Sequence, residues 1–600
     1  MDRHLSTIQT YLTAITLFLT SIIFVPVLNN TYTLPKLLIL YFCSFVIVFF
    51  EGIKIIIQKK IKILKMDIFV FLLLLSQLAS WYFAHNRVQA FWGEYGLEGL
   101  SFFSFIAYLS LVFVYARLDS FQKKIIKSFF VGGTSIAILY AVWQYTQVPN
   151  RPNGLAGQPI ESAHTIALGL LVSYDLFYRY ILSTKNKFFI SLYLIFNILY
   201  LISLYLLESS TTFISLTTAI LLIFIFNIQS VRENLNKKNI LLVLTGVCVL
   251  ALILFNLLPK KSFSTSQRIS ELRSSLRMIY LEVPSSPLSL LFGRGQNSSG
   301  LYFRPYKDAS VFKTTEWFWQ LGQIRNFYLE SFFTLGLLGF IIWHLLALWS
   351  LLESVRNKKY FSAAIFFFIL SWEMVYYLFP ITVTIFLLYA AENNESVTKK
   401  FNNKFLYLIF SVVLIVLSIY GLFHSYRLLK GEYAYSRSNY DEAIQTVPEN
   451  IVYKAEYAHA IYNSINSYRF YADTCVHNSS CSHRYVHEKY DKGTRLLIEA
   501  LKINPKESDY WNALSTYYFQ QYLDEGSVQK ELLQKADETT RKGLVIDPYN
   551  PFLLDGLGAV YLERGDLGQA EKYFRKALQS KPDFTPSQGH VEEVERQKKK

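Results

Sequence analysis

The sequence predicts an all-α protein in two parts: a polytopic transmembrane helical bundle of about 13 spans, then a soluble α-solenoid. Three observations predict it. The 600-residue chain is 52% hydrophobic and 17% charged, and before residue 422 its apolar residues gather in runs of membrane-spanning length. The basic residues behind the net charge of +15 fall in alternate connections between those runs. After residue 422 the composition becomes that of a charged, soluble domain with repeat-like spacing.

A membrane helix needs roughly 20 apolar residues. Thirteen runs meet this expectation: 8–28, 37–57, 67–84, 99–116, 127–147, 163–183, 188–207, 211–228, 239–258, 326–349, 360–378, 380–392 and 404–422. The first is apolar for a full span and lacks a small-residue cleavage site, so it reads as a transmembrane helix rather than a signal peptide. Pro380 divides the run 360–392 into two short spans.

The connections after the even-numbered spans carry QKKIKILK, RLDSFQKK, TKNK, VRENLNKK, VRNKK and TKKFNNK. The short intervening ones, NNTYTLP, HNRVQAFWGEYGLE, NRPNGLAGQPIESA and ESS, carry few positive residues. The positive-inside rule makes the first set cytoplasmic, the N-terminus cytoplasmic and the C-terminal domain extracytoplasmic. Charge that follows topology in this way is a membrane signature and excludes nucleic acid as the expected partner. The chain then divides into a membrane domain, 1–425, with a long basic outer loop at 259–325, and a soluble domain, 426–600.

In PFLLDGLGAVYLERGDLGQAEKYFRKALQSKP, Leu557, Gly558, Tyr561, Gly565, Ala570, Phe574, Ala577 and Pro582 fall at tetratricopeptide spacing. Small residues let two helices approach and large ones fill the space between them. A second repeat begins with Trp511, Leu514 and Tyr518 and ends with Ala536, Gly543 and Pro548. KGTRLLIEALKINP at 492–505 and SNYDEAI at 438–444 are more degenerate copies. Stacked repeats form a concave surface suited to a protein partner. Cys475 and Cys481 favour a disulfide outside the cell, with zinc held by them and His477 and His483 as the alternative. Cys43 and Cys248 lie inside spans and read as packing residues.

Candidate chemistry lies in and after the long loop. RISELRSSLRMIY at 268–280 has helical spacing, with an apolar stripe of Ile269, Leu272, Leu276 and Ile279. Arg268 opens it, and Arg273 and Arg277 share a face. Such a helix either clamps a phosphate group or rests on anionic headgroups. In LLFGRGQNSSGLYF, Gly293 and Gly295 flank Arg294, a turn able to aim backbone N–H groups at an anion. In GQIRNFYLESFFTLGLLGF, Arg325 and Glu330 sit at the start of an apolar run; an ionisable group about one turn inside a span is a functional candidate. Glu373 and Asp175, also within apolar runs, read as interhelical hydrogen-bonding groups.

Together these pieces resemble the O-antigen ligase family, which includes O-antigen polymerases and bacterial O-oligosaccharyltransferases. The resemblance covers most of residues 1–425. RISELRSSLRMIYLEVPSSPLSLLFGRG follows the family's order of arginine helix, Pro-rich stretch and Gly-x-Gly turn, with Arg268 at the family's arginine and Leu272 in place of its aromatic. RNFYLESFFTLGLLG is similar to the family's His-Asn-x-Tyr-Leu segment leading to Gly-Leu-x-Gly. NRPNGLAGQP looks like the Arg-x-x-Gly loop, with Arg151 as its arginine, and AFWGEYGLEGL looks like another outer loop. A solenoid after a thirteenth span is most similar to the protein-glycosylating branch.

The resemblance implies a GT-C-like fold and an inverting glycosyltransferase at the outer face of a bacterial cytoplasmic membrane. The donor would be an oligosaccharide or polysaccharide on undecaprenyl pyrophosphate, and the acceptor a lipid, a protein or another glycan. It implies no metal and no nucleotide sugar, an arginine pair on the pyrophosphate and a histidine that activates the acceptor. Two positions depart: Arg325 stands where the family has the histidine, and Thr211 stands near the family's intramembrane arginine. The resulting expectation assigns Arg325 and Glu330 to catalysis, with Glu208 as a second carboxylate. Arg268, Arg273, Arg277, Arg294 and Arg151 are assigned to substrate binding. A polysaccharide polymerase and a non-catalytic scaffold that keeps a lipid-pyrophosphate pocket are the alternatives.

Overall fold

The computed structural model describes residues 2–93, 98–147, 154–155, 159–177, 187–207, 209, 211–220, 265–307, 324–373, 380–393, 397–401, 404–472 and 479–599. By contacts the chain divides into two units. The first comprises Met1–Lys261, Ser286–Asn297 and Ile324–Glu432; the second comprises Ser262–Ser285, Ser298–Gln323 and Tyr433–Lys600. The long loop expected within the membrane domain is thus shared between the two.

Both units are helical. In the first, six helices among the described residues are long and apolar enough to cross a membrane: Arg3–Ile22, Thr33–Gln58, Lys65–Phe83, Ser120–Gln147, Phe327–Arg356 and Lys404–Ser436. Five more apolar helices are shorter: Phe102–Tyr115, Ile195–Leu206, Thr211–Ile220, Tyr360–Glu373 and Pro380–Glu392. This corrects the expectation of about 13 full-length spans. Hydropathy counts apolar residues without regard to where a helix starts and stops. The run 163–183 shows why: the described part of its helix starts at Pro159 and takes in Glu161, His164 and Asp175. The expected span 239–258 lies outside the described residues.

Small residues and threaded hydroxyls bring these helices together. A Cβ at Gly133 would stand 2.8 Å from the backbone oxygen of Phe18, so only glycine allows the Asp2–Ile22 and Ser120–Gln147 helices to meet there. Tyr41 and Ser104 share a hydrogen bond of 2.5 Å, and Tyr200 and Thr134 one of 2.6 Å, each joining buried faces. Cys43 is a buried free thiol, as expected of a packing residue.

Several charges inside the unit are paired. Lys127 donates to Asp175 at 2.9 Å and to Glu392 at 2.6 Å, and Tyr389 donates to the same Asp175 oxygen at 3.1 Å. Arg117 bridges Asp67 at 2.7 Å and lies 3.7 Å from Glu51, which also accepts from Gln9 at 3.0 Å. Asp175 and Glu373 thus act as interhelical hydrogen-bonding groups, Glu373 through Trp343 Nε1 at 3.2 Å. Strand Ile61–Leu64 pairs antiparallel with strand Val397–Phe401, Lys62 opposite Lys400. These strands come from the connections after the second and twelfth expected spans, which the charge rule puts on one side of the membrane.

The Phe327–Arg356 segment is not one straight rod. Tyr328 stacks on His344 with ring centroids 4.6 Å apart, Phe332 meets Phe340 at 5.9 Å and Phe327 meets Trp343 at 5.6 Å. Along a straight helix Tyr328 and His344 would be roughly 24 Å apart. The chain therefore doubles back at Gly336, whose φ of 67° and ψ of −173° lie outside the helical region. The half-helix 327–335 runs antiparallel to the 337–356 helix. This corrects the reading of 326–349 as one span with Arg325 and Glu330 at its mouth. The half-helix instead begins beside residues near 343, well along the second helix.

The second unit is a solenoid of helix pairs: Ile451–Ala472 with Ser479–Ile503, Ser508–Asp524 with Lys530–Ile546, and Pro551–Glu563 with Leu567–Ser580, closed by Thr585–Lys599. The tetratricopeptide positions form its contacts. Leu557, Ala570, Phe574 and Ala577 are buried, and a Cβ at Gly558 would stand 2.5 Å from the Phe574 ring. Gly543 plays the same part against Leu553 and Trp511 in the preceding repeat. Asn450, Asn504 and Asn550 recur at the turns, each side chain accepting from the N–H two residues on. Cys475 and the side chain of Cys481 lie outside the described residues, and so do the disulfide and zinc readings.

Candidate functional site

Two glycine backbones cross where the half-helix ends. Gly293 (φ 78°) and Gly336 (φ 67°) approach so closely that a Cβ on either would collide with the other's strand. The reversal at Gly336 releases the carbonyls of Phe333 and Thr334 from helical bonding. The N–H of Arg294 donates to Phe333 at 2.9 Å and that of Gly295 to Thr334 at 3.1 Å. Ser80 Oγ donates to the same Thr334 carbonyl at 2.6 Å. Gln296 Nε2 donates to Gln77 Oε1 at 2.6 Å, and Gln89 Nε2 to the Asn297 carbonyl at 3.0 Å, so the turn is bolted to the Lys65–Phe83 and Arg87–Trp92 helices. The backbone N–H groups expected to face an anion are occupied at Arg294 and Gly295. The Arg294 side chain is half-buried.

At its other end the half-helix is capped by Asn326, whose Oδ1 accepts from Leu329 N–H at 3.0 Å. Glu330 is buried and its Oε2 accepts from Ile324 N–H at 2.8 Å. That bond ties the chain entering the site, including half-buried Arg325, to the first turn. Beyond it stand Tyr328, His344 and Glu373. His344 Nε2 lies 3.7 Å from Glu373 Oε2, and the Tyr328 hydroxyl donates to the Leu370 carbonyl at 3.2 Å. Sequence reasoning missed His344 because it lies 18 residues beyond the half-helix cap at Asn326; only the reversal brings it alongside.

The expected substrate-binding arginines divide between the units. Arg294 and Arg325 belong to the first, and Arg268, Arg273 and Arg277 lie in the Thr265–Glu282 helix of the second. Arg151 and Glu208 lie outside the described residues, as does the side chain of Arg268. Thr211 is half-buried at the start of its helix. Arg273 and Arg277 are exposed, and so are Leu272 and Leu276, whereas Ser270, Glu271, Ser274, Ser275, Met278 and Ile279 face inward. The expected apolar stripe is thereby corrected: only Ile279 of its described side chains is buried, because the serines fill the tight inner face.

Part of the loop's basic content has another use. Arg304 is buried and pairs with Glu507 and Ser508, with Asp509 at 3.6 Å. Lys506 places its ammonium 3.3 Å from the Tyr302 ring centre, a cation–π contact. Burial pushes the Lys307 ammonium down from its ordinary value and the Asp547 carboxyl up, each opposed by the other's charge. The solenoid turns at 504–509 and 547–550 thus grip residues 302–307 by charge.

The class that this fold defines is an all-α protein with a bundle of apolar helices and a helical-repeat unit. No family model matches the chain and no curated protein matches it. Solved structures that it is similar to include the Arabidopsis OM64 TPR domain, at 16% identity over 24% of this chain and 98% of that chain, with a TM-score of 0.17. The Cut9–Hcn1 hetero-tetramer of APC/C aligns at 12% identity over 93% of this chain and 86% of that one, with a TM-score of 0.21. Yeast Tom70 aligns at 12% identity over 83% and 93%, with a TM-score of 0.20. The repeat unit is defined by its own helix pairs.

Proposed function

We propose that this chain is a membrane glycosyltransferase with a GT-C-like bundle of apolar helices. It moves a glycan from an undecaprenyl-pyrophosphate carrier to a hydroxyl on a lipid, protein or glycan, at the outer face of a bacterial cytoplasmic membrane. The observation that carries the reading is the crossing of Gly293 and Gly336. The Gly-x-Gly turn is hydrogen-bonded to Phe333 and Thr334, at the end of the segment that leads into Gly-Leu-x-Gly, and the glycines of the two stretches approach closely although they are far apart in sequence. Arg294 comes from the turn at that crossing and Arg325 from the chain that enters the half-helix at its other end.

In the step itself the acceptor oxygen bonds to the anomeric carbon while the bond from that carbon to the diphosphate oxygen breaks. Undecaprenyl pyrophosphate leaves with the electron pair, and guanidinium groups neutralise it. The hydroxyl proton passes to a carboxylate, with Glu330 the candidate. The solenoid binds the acceptor or a partner protein.

A second reading, a non-catalytic scaffold with a lipid-pyrophosphate pocket, is favoured by the bond from Ile324 N–H to Glu330, which gives that carboxylate a structural task. Purified full-length protein in nanodiscs, supplied with a lipid-linked oligosaccharide and a mixed acceptor pool, separates them. One transferred glycan supports the ligase, and a ladder of lengths supports a polymerase. Tight binding without turnover supports the scaffold, and absence of binding overturns all three.

A further inference from the structure

The Thr265–Glu282 helix presents an outward face that is exposed among the described residues. Its exposed residues come in pairs four apart: Leu272 and Arg273, Leu276 and Arg277, Tyr280 and Leu281. The alternate pairs, Ser274 with Ser275 and Met278 with Ile279, are buried. Four-residue spacing puts the three exposed pairs on one stripe of the helix. Tyr280 is 77% exposed, and Leu272, Leu276 and Leu281 between 45% and 47%. A soluble helix ordinarily turns its leucines in and its small polar residues out; this one does the reverse.

We propose that this face is a membrane-docking surface whose partner is an anionic phospholipid bilayer. Three features select that occupant over a protein groove or a free phosphate. Leucines stand beside arginines on one stripe, so the apolar groups enter the acyl boundary while the guanidinium groups stay level with headgroup phosphates. Tyr280, an apolar ring with a polar tip, suits the interface between hydrocarbon and water. The stripe also lacks any acidic residue, so its charge is complementary to an anionic surface. Arg273 and Arg277 then serve lipid headgroups rather than the glycan donor, an assignment that does not depend on glycan transfer.

The test uses full-length protein with its four cysteines replaced by alanine and one new cysteine, Tyr280→Cys or Leu276→Cys, bearing an environment-sensitive fluorophore. Nanodiscs are made from phosphatidylcholine with or without phosphatidylglycerol, each doped with a lipid carrying a nitroxide just below the headgroup. Both labels are expected to be quenched, more strongly with phosphatidylglycerol. A label at Glu595→Cys, on the exposed C-terminal helix, stays unquenched. Each of Arg273→Gln and Arg277→Gln is expected to shift the docked fraction about fivefold toward free in anionic discs. Quenching no stronger than at Glu595→Cys overturns the proposal. So does quenching indifferent to both lipid charge and the arginine changes. Release by soluble pyrophosphate would overturn it in favour of a phosphate-ligand site.

Discussion

Tyr328 and His344 stack ring on ring, 4.6 Å between centroids, although 16 residues separate them in the sequence. That stacking is the clearest sign that the apolar segment after Asn326 is a half-helix folded back on a longer one. The reversal depends on Gly336, which has a conformation reserved for glycine and no room for a side chain against Gly293 and Leu291. Gly336→Ala is expected to cost about 1–3 kcal/mol in backbone strain alone, read as a lowered thermal midpoint of the detergent-solubilised protein. Gly556→Ala, at a helical position with open space, should leave the midpoint unchanged or raise it.

Arg304 and Glu507 form a buried ion pair within the second unit. Removing one partner of such a pair strands the other charge, at a cost of about 3–5 kcal/mol. Arg304→Ala should therefore release residues 298–307 to fast hydrogen exchange while the helices at 551–580 keep their protection. Unchanged protection at 298–307 would show that the pair does not hold the loop.

The solenoid's last helix carries a pH-dependent contact. A hydrogen bond to Asp555 lifts the His590 imidazolium above its ordinary value of 6.5, with the Asp555 charge adding to the effect. A raised folded value means that the contribution is present in full below pH 6.5 and is lost as pH rises through the folded pKa. Exchange protection of Thr585–Lys599 should fall across that window in the native chain and be flat in Asp555→Asn.

The pairing of Ile61–Leu64 with Val397–Phe401 fixes two connections to one side. Single cysteines at Lys62 and Lys400 should both be labelled by an impermeant reagent only from the cytoplasmic face of inverted vesicles. Labelling from opposite faces would break the topology.

Much of the fold was legible in the sequence, for physical reasons that differ by part. The repeats were legible because Gly558 and Phe574 must be small and large for their helices to meet. Lys127, Asp175 and Glu392, which the structure brings together, all lie near connections that the charge alternation assigns to one side. The reversal was not legible, because a hydropathy window sees residues 327–356 as one apolar run and Gly336 as an ordinary helical glycine. The sequence named Leu272 and Leu276 but did not separate their exposed face from that of Ile279, because apolarity alone does not tell a buried face from an outward one. Of the site, the motifs named the two glycine segments but not their contact, which depends on the reversal at Gly336, as does the Tyr328, His344 and Glu373 cluster.

The central claim is that the first unit holds the diphosphate of a polyprenyl carrier with Arg294 and Arg325. Equilibrium binding of undecaprenyl pyrophosphate to the full-length protein in nanodiscs tests it most directly, with undecaprenyl monophosphate as competitor. The account predicts saturable binding that favours the diphosphate and weakens about tenfold or more in Arg294→Ala and in Arg325→Ala. Binding no stronger than to empty nanodiscs, or unaffected by both substitutions, would contradict it.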